Sequence, residues 1–309
     1  MATDTVMLSD HVDRYLTLRR TLGYKLHNTG RNLQVFAAFA SDKGDTHIRA
    51  ATAVQWAAQA ASPHARSVRL RDVVLLAHFL FAEDPCHEIP PARHFHVRVV
   101  RQPPYIYTPA EIGQLLAAAH RLPCSYALRR PVYATLIGLI AATGLRVSEA
   151  LDLRFDDLLP NSVLRIRRTK FAKSRLVPLH PTTVAALTEY LHQRHSVAIA
   201  DDHLFVSANH RRIPTPSACT NFQRVVRLAG IAPGRQRRPR MADLRHTFAT
   251  RSLQRCAVQR ESVARHFVAL STYLGHTNIA HTYWYLEATP ELMADIAAAG
   301  ENLVAGSLP

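Results

Sequence analysis

The chain has 309 residues, 48% of them hydrophobic, which is enough for two domains that each bury a core. Its net charge of +15 at pH 7 favours a polyanionic partner, of which nucleic acid is the commonest. We expect neither a membrane-spanning helix nor a signal peptide, and the widely spaced Cys86, Cys124, Cys219 and Cys256 indicate reduced cytosolic thiols without metal-ligand spacing.

The first 84 residues are predicted to form an all-helical domain. Ser9 or Asp10 is expected to cap a helix over residues 11–22, which Gly23 ends. Further helical patterns cover residues 28–41, 51–60 and 63–81, and no strand-period run lies between them.

Residues 85–106 are rich in proline and arginine. Proline removes backbone donors and ends helices, so this stretch is predicted to be an extended, basic linker. A second domain is then predicted over residues 107–287. It starts with a helix whose N-cap is Thr108, with Pro109 and Glu111 in its first turn.

The second domain begins with helices and then changes to strand patterns. One helix ends at Thr143-Gly144, and Arg146 stands at the start of the next helix, held at the end of an element. Residues 162–168 and 175–179 alternate as strands do, with Lys170 and Lys173 between them. A β-hairpin with lysines at its turn is therefore predicted, from which one ammonium could reach a neighbouring groove.

Helical patterns return after residue 181, at 182–195 and 215–229. The basic run 235–240 leads into a helix with Asp243 near its amino end, and a further helix covers residues 260–273. Leu274-Gly275-His276 follows, and Tyr285 comes nine residues after His276. Taken alone, this last pair is typical of a helix end beside an aromatic core.

Taken together, these motifs have the order and spacing of the tyrosine recombinase (phage integrase) family, which the chain resembles over residues 103–287. The resemblance implies a mainly α fold with a small antiparallel β-sheet in the catalytic domain. It also implies a two-domain DNA clamp, in which the helical first domain is the core-binding (SAM-like) domain. The match of the first domain to the core-binding domain rests on the arrangement of its predicted helices alone, without a sequence motif. The tail, residues 288–309, would pack either on a neighbouring protomer or on its own domain.

The chemistry of phosphodiester attack explains why such residues would be needed. Fixed guanidiniums that fork onto the equatorial oxygens of the phosphorane lower the barrier, and Arg146 and Arg245 suit this role. The resemblance implies that Tyr285 is the nucleophile of a 3′-phosphotyrosyl intermediate. It implies that Lys170, or else Lys173, protonates the leaving 5′-oxygen and that His276 hydrogen-bonds the phosphate. No metal or other cofactor is expected, because the cations are built in.

One position departs from the family. Ala242 occupies the place of the histidine in the usual His-x-x-Arg motif, and losing one acid–base group typically costs about 10²–10⁴ in rate. Another residue could compensate, the protein could be slow, or the alanine could have been introduced to hold the protein on its DNA. The close match of the flanking residues favours the last explanation.

The expected partner is double-stranded DNA, bound by a homo-oligomer, a tetramer on synapsed DNA, in the bacterial cytoplasm. The biological role could be that of an integrase, a resolvase or a transposase. The competing hypotheses are a type IB topoisomerase and a DNA-binding protein with weak or no catalysis, which Ala242 favours. The candidate DNA-contacting residues are Arg98, Arg101, Lys173, Arg175, Arg235, Arg237, Arg238 and Arg240.

Overall fold

The computed structural model describes residues 7–95, 103–167, 174–197, 200–234, 238–256 and 260–275, and of residues 255, 256 and 260–265 only the backbone. The chain divides into two compact units, Met1–Arg101 and Gln102–Pro309. The fold is mainly helical with one small sheet, which confirms the predicted fold class. Among the described residues, no helix is both long and apolar enough to cross a bilayer.

The described part of the first unit, residues 7–95, contains four helices. They are α1 (Leu8–Thr21), α2 (His27–Ser41), α3 (Ala50–Ala58) and α4 (Pro63–Phe81). All four contribute side chains to one core, in which Val12, Leu33, Phe36 and Leu76 are fully buried and Trp56 nearly so. Burial of these side chains is the main term that holds helices of this length together.

The predicted cap of the first helix is wrong. Met7 is the N-cap, so α1 starts three residues earlier than predicted, and Asp10 lies at the third helical position. Its carboxylate accepts a hydrogen bond from the Met7 backbone nitrogen at 3.2 Å. Asp10 therefore satisfies a donor of the first turn from inside the helix, and an acidic residue serves equally well there through the helix dipole.

Part of the proline-rich stretch packs on the first unit. His87 is buried, and the Glu88 backbone nitrogen donates to the Ile48 carbonyl at 2.8 Å. Phe95 packs against the same core.

The second unit contains seven α-helices and three strands in the described part of the chain, with a short 3-10 helix, Phe155–Asp157, before the first strand. In chain order they are α5 (Pro109–His120), α6 (Arg129–Thr143), α7 (Val147–Leu151), β1 (Leu158–Leu159), β2 (Val163–Ile166), β3 (Arg175–Pro178), α8 (Pro181–His195), α9 (Thr215–Leu228), α10 (Met241–Cys256) and α11 (Arg260–Leu274). The N-terminus of α5 has the predicted capping box, because the Glu111 nitrogen donates to the Thr108 hydroxyl and the Thr108 nitrogen to the Glu111 carboxylate.

The sheet is antiparallel in the order β1-β2-β3. The predicted hairpin is confirmed: Leu164 pairs with Val177 and Ile166 with Arg175. Strand β1 is an additional two-residue strand that was not predicted, and its Leu158 pairs with Leu164. The inward side chains Leu164 and Val177 are fully buried in the core around α6, so the sheet is fixed to the helices that carry the site.

Candidate active site

The junction between α6 and α7 is a tight glycine turn. Gly144 caps α6 in the left-handed conformation, with φ 63°. A Cβ at this position would lie 2.5 Å from Cδ1 of Phe248 on α10, closer than any side chain allows. Glycine is therefore required here, because it permits both the turn and the close approach of the ring.

Arg245 is held behind this turn by two backbone carbonyls. It lies on α10 and only 7% of it is exposed. One terminal nitrogen donates to the Gly144 carbonyl at 2.7 Å and the other to the Leu274 carbonyl at 2.8 Å. Charge-assisted bonds of this kind fix a guanidinium in one orientation before any ligand arrives.

Arg146 is the N-cap residue of α7 and is fixed in a comparable way. Its Nη1 donates to Glu149 Oε1 at 2.6 Å, and its Nη2 donates to the Gly275 carbonyl at 3.0 Å. A third of the side chain remains exposed. Because a guanidinium has five N–H donors, Arg146 keeps donors beyond these two bonds with which it could bind a phosphate oxygen.

The two arginines therefore meet at the end of α11. Leu274 is the last residue of that helix, and Gly275 follows it with φ 67°. Their two successive carbonyls each accept a bond from a different arginine. The helix C-terminus carries partial negative charge, so it attracts both guanidiniums. Since His276 is the next residue of the chain, these bonds fix the backbone that leads into it.

Glu149 is the carboxylate at the centre of this group. It is 9% exposed and accepts from Arg146, and it also accepts a bidentate pair of bonds from Arg175 on β3, at 3.0 and 2.7 Å. Burial alone would raise the pKa of Glu149, but the bonds and charges of Arg175 and Arg146 lower it to about 2. The carboxylate is therefore ionised at neutral pH and links β3 to α7.

Arg175 also packs on the end of α11. A Cβ at Gly275 would lie 3.1 Å from Nη1 of Arg175, so the guanidinium lies directly against this turn. Its side chain is 13% exposed. The bonds of Arg175 to Glu149 support a positioning role, and its contact with DNA stays a prediction.

The N-terminus of α10 places Ala242 close to Arg245. Ala242 is exposed in the first turn, three residues before Arg245, and residues at this spacing share a helix face. Asp243 is fully buried and accepts from the Arg240 backbone nitrogen at 2.8 Å, as predicted for a residue that stabilises the start of this helix. A side chain longer than alanine at position 242 would extend along the face that carries Arg245.

The structure describes only part of the predicted site. Arg146 and Arg245 are brought together, whereas Lys170, His276 and Tyr285 lie outside the described residues. Of the candidate DNA contacts, Arg238 and Arg240 are exposed next to the start of α10. Five further candidate DNA contacts lie outside the described residues: Arg98, Arg101, Lys173, Arg235 and Arg237.

Tyr273 is a packing residue in the structure. Its ring stacks on Phe248 with the centroids 5.6 Å apart, in a small core shared by α10 and α11. Leu244 and Leu253 of α10 are also buried. This packing fixes α11 against the helix that carries Arg245.

The Glu149–Arg175 pair was missed by sequence reasoning. The Arg-x-x-Glu spacing of residues 146–149, with glutamate at the third position of a helix, indicates a carboxylate near Arg146. Nothing in that spacing indicates Arg175, which is 26 residues further along the chain.

Known proteins resemble this chain in sequence. The sequence model of the phage integrase family matches residues 106–291. The putative integrase/recombinase y4rB of Sinorhizobium fredii is 39% identical over 294 residues, covering 92% of this chain and 94% of that protein. The tyrosine recombinase XerD of Caulobacter vibrioides is 31% identical, covering 86% of this chain and 87% of its own.

Solved structures share the fold. The Tn1549 transposon integrase in complex with transposon right end DNA aligns with a TM-score of 0.65 at 18% identity, over 97% of this chain and all of that one. The XerH site-specific recombinase bound to palindromic difH substrate aligns with a TM-score of 0.62 at 20% identity, over 89% and 79%. The chain therefore belongs to the phage integrase family of tyrosine recombinases, enzymes that transfer DNA strands.

Proposed function

We propose that this protein is a site-specific recombinase that cuts and rejoins double-stranded DNA through a covalent link to Tyr285. The observation that carries the proposal is the shared anchoring of Arg146 and Arg245 on the carbonyls of Leu274 and Gly275. Two fixed cations are thereby placed beside the backbone that leads to His276, nine residues before Tyr285.

In the proposed reaction, the phenolic oxygen of Tyr285 attacks the scissile phosphorus. The bond from phosphorus to the 5′-oxygen breaks, and a 3′-phosphotyrosine and a 5′-hydroxyl form. Lys170 gives a proton to the leaving 5′-oxygen, with Lys173 as the alternative donor, and His276 hydrogen-bonds the phosphate. The 5′-hydroxyl of another strand then attacks the phosphotyrosine and releases the enzyme.

The arginines act on the charge that develops at the phosphate. Arg146 and Arg245 would each bind an equatorial oxygen, and because they are already held by the protein, little reorganisation is needed in the transition state. Glu149 keeps Arg146 and Arg175 oriented. Its single negative charge does not neutralise the three arginines, because Arg245 is held by uncharged backbone carbonyls.

We further propose that the protein works as a homotetramer on two synapsed DNA duplexes, in the bacterial cytoplasm. The net charge of +15 supports binding to the phosphate backbone, for which the exposed Arg238 and Arg240 are suited. The related proteins of Sinorhizobium fredii and Caulobacter vibrioides support a bacterial setting.

One observation favours a second candidate function, a DNA-binding protein with weak or no catalysis. Ala242 can neither hydrogen-bond a phosphate nor carry a proton, although it occupies an exposed position one helical turn from Arg245. The anchored arginines favour catalysis, because such preorganisation is not needed for backbone contacts that only give affinity.

A nicked suicide DNA substrate tests the proposal. The short fragment that carries the 5′-hydroxyl diffuses away after cleavage, so religation is prevented and the covalent complex accumulates. The rival nucleophile is Tyr283, two positions before Tyr285. The unaltered protein and Tyr283→Phe are expected to give a protein–DNA band on a denaturing gel, whereas Tyr285→Phe is expected to give none. A band from Tyr285→Phe would show that another residue is the nucleophile. DNA binding by the unaltered protein without any band would support the second candidate function, and strand exchange between two labelled duplexes separates recombination from topoisomerase activity.

A further inference from the structure

The first unit contains a group of side chains of the types that bind metals, whereas the residues of the candidate active site belong to the second unit. His47 comes from the loop between α2 and α3, and Asp84 and Cys86 come from the turn that follows α4. Potential ligand atoms of the three side chains all lie within 4.8 Å of one another. One nitrogen, one oxygen and one sulfur are thus brought together from two segments that are distant in sequence.

The hydrogen bonds of the group leave the ligand atoms facing each other. Asp84 Oδ1 accepts from the Cys86 backbone nitrogen at 2.9 Å, whereas Oδ2 lies 3.1 Å from Nε2 of His47. The other imidazole nitrogen, Nδ1, is 2.9 Å from the Thr46 hydroxyl. Metal-binding histidines usually have such an outer partner, which fixes the ring and leaves the second nitrogen to the metal.

Two more imidazoles, those of His87 and His11, lie next to this group. His87 is 1% exposed, and its Nδ1 accepts from the Ile48 nitrogen at 3.1 Å, while its ring centroid lies 4.9 Å from that of His47 and 5.4 Å from that of His11. Nδ1 of His11 is buried and has no hydrogen-bond partner among the described residues.

We propose that His47, Asp84 and Cys86 bind a Zn²⁺ ion, with water in the fourth position. Imidazole, carboxylate and thiolate are the ligands that zinc takes in tetrahedral sites, whereas Mg²⁺ and Ca²⁺ take oxygen ligands. On binding, the Cys86 thiol loses its proton to solvent and a zinc–sulfur bond forms. The two anionic ligands then balance the charge of the ion.

The metal would join the loop that precedes α3 to the end of α4. Both segments border the core around Trp56, so the ion would stabilise the helical unit without taking part in strand cleavage. The spacing of the cysteines does not indicate this site, because His47 precedes Asp84 by 37 positions and only one cysteine contributes.

Cobalt titration of the full-length, tag-free, reduced protein tests the site, because Co²⁺ replaces Zn²⁺ and a thiolate ligand gives a charge-transfer band. The unaltered protein and Cys124→Ser, whose cysteine is exposed in the second unit, are expected to bind one Co²⁺ with this band, and Zn²⁺ is expected to displace it. Cys86→Ser is expected to lose the band. His47→Gln, which keeps a donor for Asp84, is expected to bind at least about tenfold more weakly.

Absence of the band from the unaltered protein would overturn the proposal. Retention of the band in Cys86→Ser or loss of the band in Cys124→Ser would also overturn it. The same holds if His47→Gln binds Co²⁺ as tightly as the unaltered protein. Circular dichroism of each variant without metal establishes that the helices are formed. The readout is independent of DNA cleavage, so the result does not depend on the proposed function.

Discussion

Replacing Glu149 by glutamine removes the one carboxylate that Arg146 and Arg175 share. The pKa of Glu149 is lowered from 4.5 to about 2 in the folded protein, which corresponds to roughly 3 kcal/mol in favour of the ionised carboxylate. Only 8% of the side chain is exposed, so solvent weakens its electrostatic interactions only slightly. Removing one partner of a buried ion pair typically costs about 3–5 kcal/mol, in agreement with the value from the pKa of Glu149. We expect Glu149→Gln to lower the free energy of unfolding by roughly 3 kcal/mol.

The effect of pH has a definite sign. Because the pKa of Glu149 is lower in the folded protein than its ordinary 4.5, folding favours the ionised form. This stabilisation is complete above about pH 4.5 and is lost as the pH falls towards about 2. The difference in unfolding free energy between the unaltered protein and Glu149→Gln should therefore be constant near neutral pH and should shrink across that acidic window.

Urea unfolding followed by circular dichroism measures this difference, with Glu189→Gln as the matched control. Glu189 is an exposed residue of α8, so its substitution is expected to change the free energy of unfolding by less than about 0.5 kcal/mol. Cleavage of the suicide substrate should fall about 10²-fold in Glu149→Gln, since a misplaced Arg146 loses its alignment with the phosphate. If Glu149→Gln unfolds and cleaves as the control does, the ion pairs do not have the importance given to them here.

Two further substitutions test other parts of the site. Ala242→His restores an imidazole one turn before Arg245, so single-turnover cleavage should rise at least about tenfold, and equal rates for the two proteins would contradict the role assigned to this position. Gly144→Ala forces a Cβ into the left-handed region, which costs about 1–2 kcal/mol, and also against the Phe248 ring, so urea unfolding should show a larger loss than that. Gly113→Ala, in the open middle of α5, is its control and should be neutral or stabilising; equal stability of both variants would refute the packing argument.

Local signals predicted the elements well. The helix over residues 63–81 has the predicted bounds because Ser62 and Pro63 define its start, and the α5 capping box forms as the order Thr-Pro-x-Glu indicates. The start of α1 was mispredicted because an acidic residue fits both the cap and the first turn. The two residues of β1 are too few to show a periodic pattern, and they form a strand only because β2 lies beside them.

The sequence named two arginines of the candidate site but did not show how they are held. Arg146 and Arg245 stand in recognisable motifs, so their side chains could be named from the sequence. Apart from the Glu149 carboxylate, the atoms that hold them are backbone carbonyls of Gly144, Leu274 and Gly275, and every residue has such a carbonyl. Which carbonyls face an arginine depends on how α6, α10 and α11 pack. Long-range packing likewise brings Arg175 to Glu149.

The most direct test of the central claim is to identify the amino acid that becomes linked to DNA. The covalent complex from the suicide substrate would be digested with protease and nuclease, and the peptide that carries the nucleotide would be sequenced by mass spectrometry. We predict a nucleotide attached through its 3′-phosphate to Tyr285. Attachment to Tyr283, to any other residue, or through a 5′-phosphate would contradict the account.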